Sequence, residues 1–331
     1  MNRLKLSSRT MFTLAAVALV ACTGAHAQAP SVKQPGGINL GVTSFYDGFS
    51  GAPGWAWLPN VRYTHMNSIR DANGESVPVF NDPRISTFVV SNQFAYTFSK
   101  PVGGWLPGVM AVVPTAHVRS SFGPGPSLQG GGTGMGDILA GAYLQSPPVL
   151  GEHGQPVFSQ RVELDFLLPT GRYSQSSDLN QGAGYASINP YWAATLLPAP
   201  RWELSWRLHY LYNFKNNKPA SGVPGGAAFN GDPVRSTQAG QAAWLNFAGS
   251  YAVTPELSLG LNGYYFKQFT DSKVNGTRLA DSREQVLGIG PGMMLKFDKD
   301  KILWVNLYRE TMVRNRAGAN LLLNVRMAFP F

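Results

Sequence analysis

The sequence predicts an all-β fold: a transmembrane antiparallel up-and-down barrel of twelve strands, with fourteen as the alternative and an amino-terminal segment in the lumen. Three observations carry this expectation. The last residues, Leu321 to Phe331, alternate apolar and mixed side chains and end on an aromatic residue. The chain holds 8 Trp, 13 Tyr and 18 Phe with only 14% charged residues, too aromatic for disorder and too interrupted for a membrane helix. Finally, the connections between alternating segments are short and long in turn, the phase expected of short periplasmic turns and long outer loops.

Elements follow in chain order. Arg3, Lys5 and Arg9 precede the apolar run Met11 to Ala21, and Ala25-His26-Ala27 offers a small-x-small cleavage site, so residues 1–27 read as a secretory signal peptide. The run is shorter than the roughly 20 residues a spanning helix needs. Leu19-Val20-Ala21-Cys22 also fits a lipoprotein-type signal, in which Cys22 becomes lipidated and remains as the first residue. If Cys22 leaves with the signal, the mature chain has no cysteine and no disulfide.

Residues 28–55 form the amino-terminal segment. Ile38, Leu40 and Val42 alternate with Asn39, Gly41 and Thr43, which would make a thirteenth strand and put the termini on opposite sides. Bacterial single-chain barrels have even strand numbers, so this stretch is placed inside the wall, entering from the periplasm. Ile38, Asn39, Leu40, Phe45 and Tyr46 are the plug candidates. The alternative is a true strand with a fourteenth elsewhere.

The barrel occupies 56–331. Strands are expected near 56–67, 88–98, 106–122, 134–146, 158–168, 186–197, 201–214, 240–253, 256–270, 284–297, 301–313 and 321–331. The clearest is 201–214, where Trp202, Leu204, Trp206, Leu208, Tyr210 and Tyr212 share one face and Glu203, Ser205, Arg207 and His209 the other. Trp202 and Tyr212 lie ten residues apart, roughly 33 Å along a strand, or about 25 Å across the membrane at a tilt of about 40°. Trp202, Tyr210 and Tyr212 are therefore aromatic-girdle candidates. Asp298-Lys299-Asp300, Val253 to Glu256 and Leu197 to Pro200 are the short periplasmic turns, while connections near 100–105 and 147–156 are longer than that pattern asks.

Charge facing lipid costs about 2–4 kcal/mol for Arg or Lys at mid-depth. Arg161, Glu163 and Asp165 on one strand, with Glu203, Arg207 and His209 two strands later, are thus assigned to the lumen. They serve either as a neutralising network that holds the amino-terminal segment or as a polar constriction that sets selectivity. Phe329 and Phe331 form the terminal signal read by the barrel assembly machinery, and outer-membrane lipid is the surrounding partner.

Other chemistry finds little support. Gly130 to Gly136 is followed by no Lys-Ser/Thr and sits in no βαβ unit, so it is an outer loop rather than a phosphate cradle. His65, His117, His153 and His209 are far apart and lack metal-ligand spacing. Ser205 and His209 share a face, but four strand residues separate them by about 13 Å, too far for a nucleophile and its base. The formal charge of +9 includes three signal-peptide residues and has no clustering, which gives no basis for nucleic-acid binding. No enzyme, cofactor or metal is expected, and the oligomeric state is not readable.

Several stretches resemble a known family: PGGINLGVTSFYDGF over 35–49, GMGDILAGAYLQ from Gly134, ELDFLLPTGRY from Glu163 and SINPYWAATLLPAPRWELSW from Ser187. LGLNGYYFKQFTDSKVNG from Leu259 and REQVLGIGPG from Arg283 continue the match. They are similar to the MetA-pathway phenol-degradation family of outer-membrane transporters. The resemblance implies a barrel that passively admits small hydrophobic or aromatic compounds. A structural or adhesive barrel that binds a partner through its outer loops is the alternative.

Overall fold

A computed structural model describes residues 32–220, 228–298 and 300–331. The signal peptide and Cys22 lie outside the described residues. Twelve long strands form the wall. They are β1 (Gly54–Ile69), β2 (Arg84–Thr97), β3 (Leu106–Ser121) and β4, in two pieces (Gly132–Met135 and Ile138–Gln145). Next come β5 (Pro156–Leu168), β6 (Ser187–Ala199), β7 (Trp202–Asn213) and β8 (Ala242–Ala252). The wall ends with β9 (Leu257–Gln268), β10 (Gln285–Lys296), β11 (Ile302–Arg314) and β12 (Ala317–Pro330).

Each strand pairs antiparallel with its sequence neighbours, and β12 returns to β1 with Trp57 opposite Phe329 and Tyr63 opposite Leu323. Closure leaves no edge with unpaired backbone groups, which is the condition for a sheet to stand in lipid. All twelve expected strands are present, within a few residues of the expected bounds. The Gly-rich run supplies the short first piece of β4, with Thr133 opposite His117.

Alternation sorts the two faces. On β7, Leu204 and Leu208 are exposed while Glu203, Ser205, Arg207 and His209 are buried. On β12, Leu321, Leu323 and Phe331 face out and Leu322 and Asn324 are buried. A continuous exterior of Val, Leu, Phe and Trp would be unstable in water and is the surface lipid requires. Among the described residues no helix is long and apolar enough to cross a membrane.

The two long turns at the end bearing the three short turns and Phe331 have their own structure. Residues 98–105 tighten through a bridge between Val102 and Trp105. In the other, Val149–Leu150 extends the sheet by pairing with β5 at Phe158.

Inside, the segment from 32 to 50 forms no strand. Its alternation is real, but its partners are lumen side chains rather than a neighbouring backbone, so no ladder forms. Gly41 and Tyr46 also take positive φ values of 72° and 60°, which break an extended run. Its direction differs from the expected periplasmic entry. Gln34 lies by the outer loops, donating to Gln268 (2.8 Å) and Gly240 (2.9 Å). Gly48 lies by β5 and β6 near the opposite rim. The segment therefore runs down the lumen from the outer mouth and turns into β1 at the periplasmic end.

Candidate functional site

The barrel interior is divided by chemistry. Ile38 and Leu40 pack into an apolar side built from Trp244 on β8, Tyr264 and Phe266 on β9, Tyr308 on β11 and Leu322 on β12. Phe45 packs on Ala248 and Met294. The carbonyl of Asn39 accepts from Trp244 Nε1 (2.8 Å) and Asn246 Nδ2 (3.0 Å), while its own side chain accepts from the Val42 amide. Gly41 crosses so close to Tyr264 and Tyr308 that a Cβ there would lie under 3 Å from both rings. Tyr308 donates to the Gly41 carbonyl (2.9 Å) and Asn324 Nδ2 to that of Val42 (3.1 Å).

The polar side lies on β5 to β8. Glu203 accepts from the Tyr46 amide (3.0 Å) and from Ser250 Oγ (2.8 Å). Arg207 donates to Asp47 through both Nε (3.0 Å) and Nη2, a fork matched to a carboxylate. Ser205 accepts from the Asp47 amide, and Thr195 from that of Gly48 (2.9 Å). The Gly48 carbonyl accepts from Gln145 and Ser159. A Cβ on Gly48 would sit 2.4 to 2.6 Å from backbone atoms of Thr195, Ser159 and Ala194, so only glycine fits.

The six expected lumen residues are all interior, but they do not act as one site. Glu203 and Arg207 hold the segment. Arg161 pairs with Glu163 (3.3 Å), donates to Tyr191 Oη (3.2 Å) and lies over the Tyr143 ring. Asp165 and Glu163 each keep one buried oxygen without a protein partner. His209 stacks on Trp244 at a centroid distance of 4.1 Å. Its Nδ1 contacts Asn189 Oδ1 (3.1 Å); because Asn189 Nδ2 donates to the Tyr210 carbonyl, the oxygen faces the ring and Nδ1 carries the proton. Ser205 Oγ bonds Glu203 and Thr195, so it and His209 engage different partners.

Asp47 was missed in the sequence, although one signal was present: it is the acidic residue of a segment placed in a lumen rich in arginine. Of the girdle candidates, Trp202 and Tyr210 are exposed and Tyr212 is half-buried. Trp202 packs on Tyr251 (5.1 Å) and Tyr212 on Phe214 (5.3 Å), while Tyr210 donates to Gln241 (3.0 Å). Phe329 stacks on Trp57 (5.3 Å), and the Phe331 amide donates to the Trp55 carbonyl (2.9 Å).

Above the segment, at the outer mouth, lies a cavity of about 350 Å³. Met66, Ile69, Val77, Phe80, Ile85 and Val118 give it an apolar wall, with Tyr173, Tyr185 and Arg316 among its polar members.

An even-numbered closed barrel with an apolar exterior, short turns at one rim and long loops at the other defines an outer-membrane β-barrel. The chain belongs to the family described as putative MetA-pathway of phenol degradation, whose model matches residues 66–327. No curated protein matches it. Among solved structures it is similar to an outer membrane channel from Pseudomonas putida F1, at 18% identity and a TM-score of 0.72, over 89% of this chain and all of that one. The β-domain of the Bordetella autotransporter BrkA follows at 12% identity and a TM-score of 0.45, covering 85% of this chain and all of that one. A Pseudomonas aeruginosa FadL homologue gives 10% identity and 0.41, over 92% and 100%.

Proposed function

We propose that this barrel passively admits small hydrophobic, chiefly aromatic, compounds across the outer membrane, with residues 36–50 acting as a hatch. The observation that carries this reading is the apolar cavity at the outer mouth. An apolar cavity of about 150 Å³ is enough to take up benzene, so one of about 350 Å³ accommodates a substituted single ring. Below it the segment occupies the lumen, so a solute held there waits on movement of the chain beneath it. The family's concern with phenol degradation supports the same substrate class. No enzymatic step is assigned.

The test is uptake of a labelled aromatic carbon source at limiting concentration, in cells with and without the protein. Filling the cavity with Ile85→Trp should reduce protein-dependent uptake several-fold, with the amount of folded barrel unchanged. Equal uptake of several aromatics with and without the barrel would end the transport reading.

The packed mid-lumen favours a second reading, a structural or adhesive barrel whose outer loops bind a partner. It predicts protein-dependent adhesion or partner capture with no change in uptake, which the same strains report.

Assembly is the remaining part of the proposal. Phe331 is 75% exposed on the outward face of the closing strand, available to the assembly machinery before it meets lipid. Phe331→Ser should lower the heat-modifiable, folded barrel recovered from outer membranes several-fold. Wild-type recovery would mean that the terminal aromatic is not the signal.

A further inference from the structure

We infer that the outer rim of β9 to β11 carries a binding site for the phosphate groups of the outer leaflet's glycolipid, lipopolysaccharide. A polar groove of about 410 Å³ opens there, walled by Lys267, Gln285 and Arg314 and by loop residues Arg278, Arg283 and Asp271. Lys267, Gln285 and Arg314 stand side by side on three adjacent strands, as the pairings Lys267–Gln285 and Gln285–Arg314 show.

These three side chains lie on the outward face. Lys267 follows Leu259, Leu261 and Tyr265 along the lipid-facing row of β9, where Leu261 is 61% exposed. Gln285 continues the row of Leu287 and Ile289 on β10. An acyl chain lying along these apolar rows would bring its headgroup to the groove. That continuity favours a lipid over a free anion.

Charge in the groove is unbalanced by one: Lys267, Arg278, Arg283 and Arg314 face Asp271, Asp281 and Glu284. Asp271 accepts from Arg283 Nε (2.9 Å) and from Arg278 Nε. Burial alone would raise its carboxyl, but the hydrogen bonds from Arg283 and Arg278 hold it below the usual range, so it stays ionised and committed to these two. Glu284 turns toward the mouth, accepting from the Gln34 amide (3.1 Å) and pairing with Arg316. Among the described residues no ion pair takes up Lys267 or Arg314, and both are exposed. They remain as two cations at the lipid boundary, where phosphate is the abundant complementary group.

The groove is also preformed. Asn315 in the β11–β12 hairpin donates to the carbonyls of Asp281 (2.7 Å) and Arg283 (2.9 Å), which ties the loop to the wall. Arg314 thus sits on a fixed frame rather than a swinging loop.

The experiment measures lipopolysaccharide binding to the purified detergent-solubilised barrel by native mass spectrometry. Wild type is compared with Lys267→Gln/Arg314→Gln and with Leu204→Ala, an outward control on β7 away from the groove, each checked for heat-modifiable folding. The double variant should bind roughly tenfold more weakly or worse, two cation contacts at a membrane surface being removed, and chemically dephosphorylated lipopolysaccharide should bind wild type just as weakly. Equal binding by wild type and the folded double variant overturns the site. So does equal binding of intact and dephosphorylated lipid. Inorganic phosphate that competes at millimolar concentration as well as the lipid does would reduce the groove to a general anion site and reject the lipid assignment.

Discussion

Deleting residues 36–50 should raise single-channel conductance in a planar bilayer several-fold while leaving the barrel folded. The deletion removes Ile38, Leu40 and Phe45 from the apolar side and Asp47 from the polar side, yet touches none of the strand pairings that close the wall. Burying each of those three apolar side chains contributes about 1.5–3 kcal/mol. Fixing the backbone of a stretch without regular structure costs about 1–2 kcal/mol per residue. Apolar burial therefore cannot order the segment unaided, and the hydrogen bonds donated by Trp244, Asn246, Tyr308 and Asn324, with the one Thr195 accepts from the Gly48 amide, are needed as well. An arrangement balanced in this way can be displaced without unfolding its container. Conductance equal to wild type, in channels shown to be folded by heat-modifiability, would reject the hatch.

Much of the wall was legible because a lipid-facing strand obeys two strict rules at once. Its outward residues must be apolar, and its inward ones have no such demand, so the period of two survives even in β7, where every charge turns inward. The phase of short and long connections then supported an up-and-down barrel without reference to any single strand, while the choice between twelve and fourteen strands turned on where residues 38–46 lie. The lumen was less legible because its residues meet partners far away in sequence. Asp47 is separated from Arg207 by 160 positions, and nothing near Asp47 announces a cation. The segment's direction was hidden for a related reason. Alternation in 38–46 shows that both sides find partners, but not at which rim the chain starts. His209 is buried and stacks on Trp244, a contact that depends on the register of β7 against β8.

The Asp47–Arg207 pair gives the second large effect, and its size depends on which partner is removed. Both side chains are only 6% exposed, and breaking a buried pair by deleting one member typically costs about 3–5 kcal/mol because the other charge is left without compensation. Asp47→Asn leaves Arg207 with the Tyr191 ring at 4.4 Å and in the electrostatic company of Arg161, with Arg326 also near. No carboxylate of the segment would then offset them. Arg207→Met leaves one carboxylate beside those same two arginines, a milder situation. Asp47→Asn should therefore release the segment more than Arg207→Met does, and the double variant should be less released than the sum of the singles, with a coupling of about 1–3 kcal/mol. A reporter cysteine at Thr43, a buried residue of the segment itself, would read this as maleimide labelling rate, with the chain lacking the added cysteine as the background for Cys22. Labelling in the order Asp47→Asn, Arg207→Met, wild type supports the pair as the latch. Equal labelling in all three would mean that the segment is held by its hydrogen bonds and apolar contacts without help from the charges.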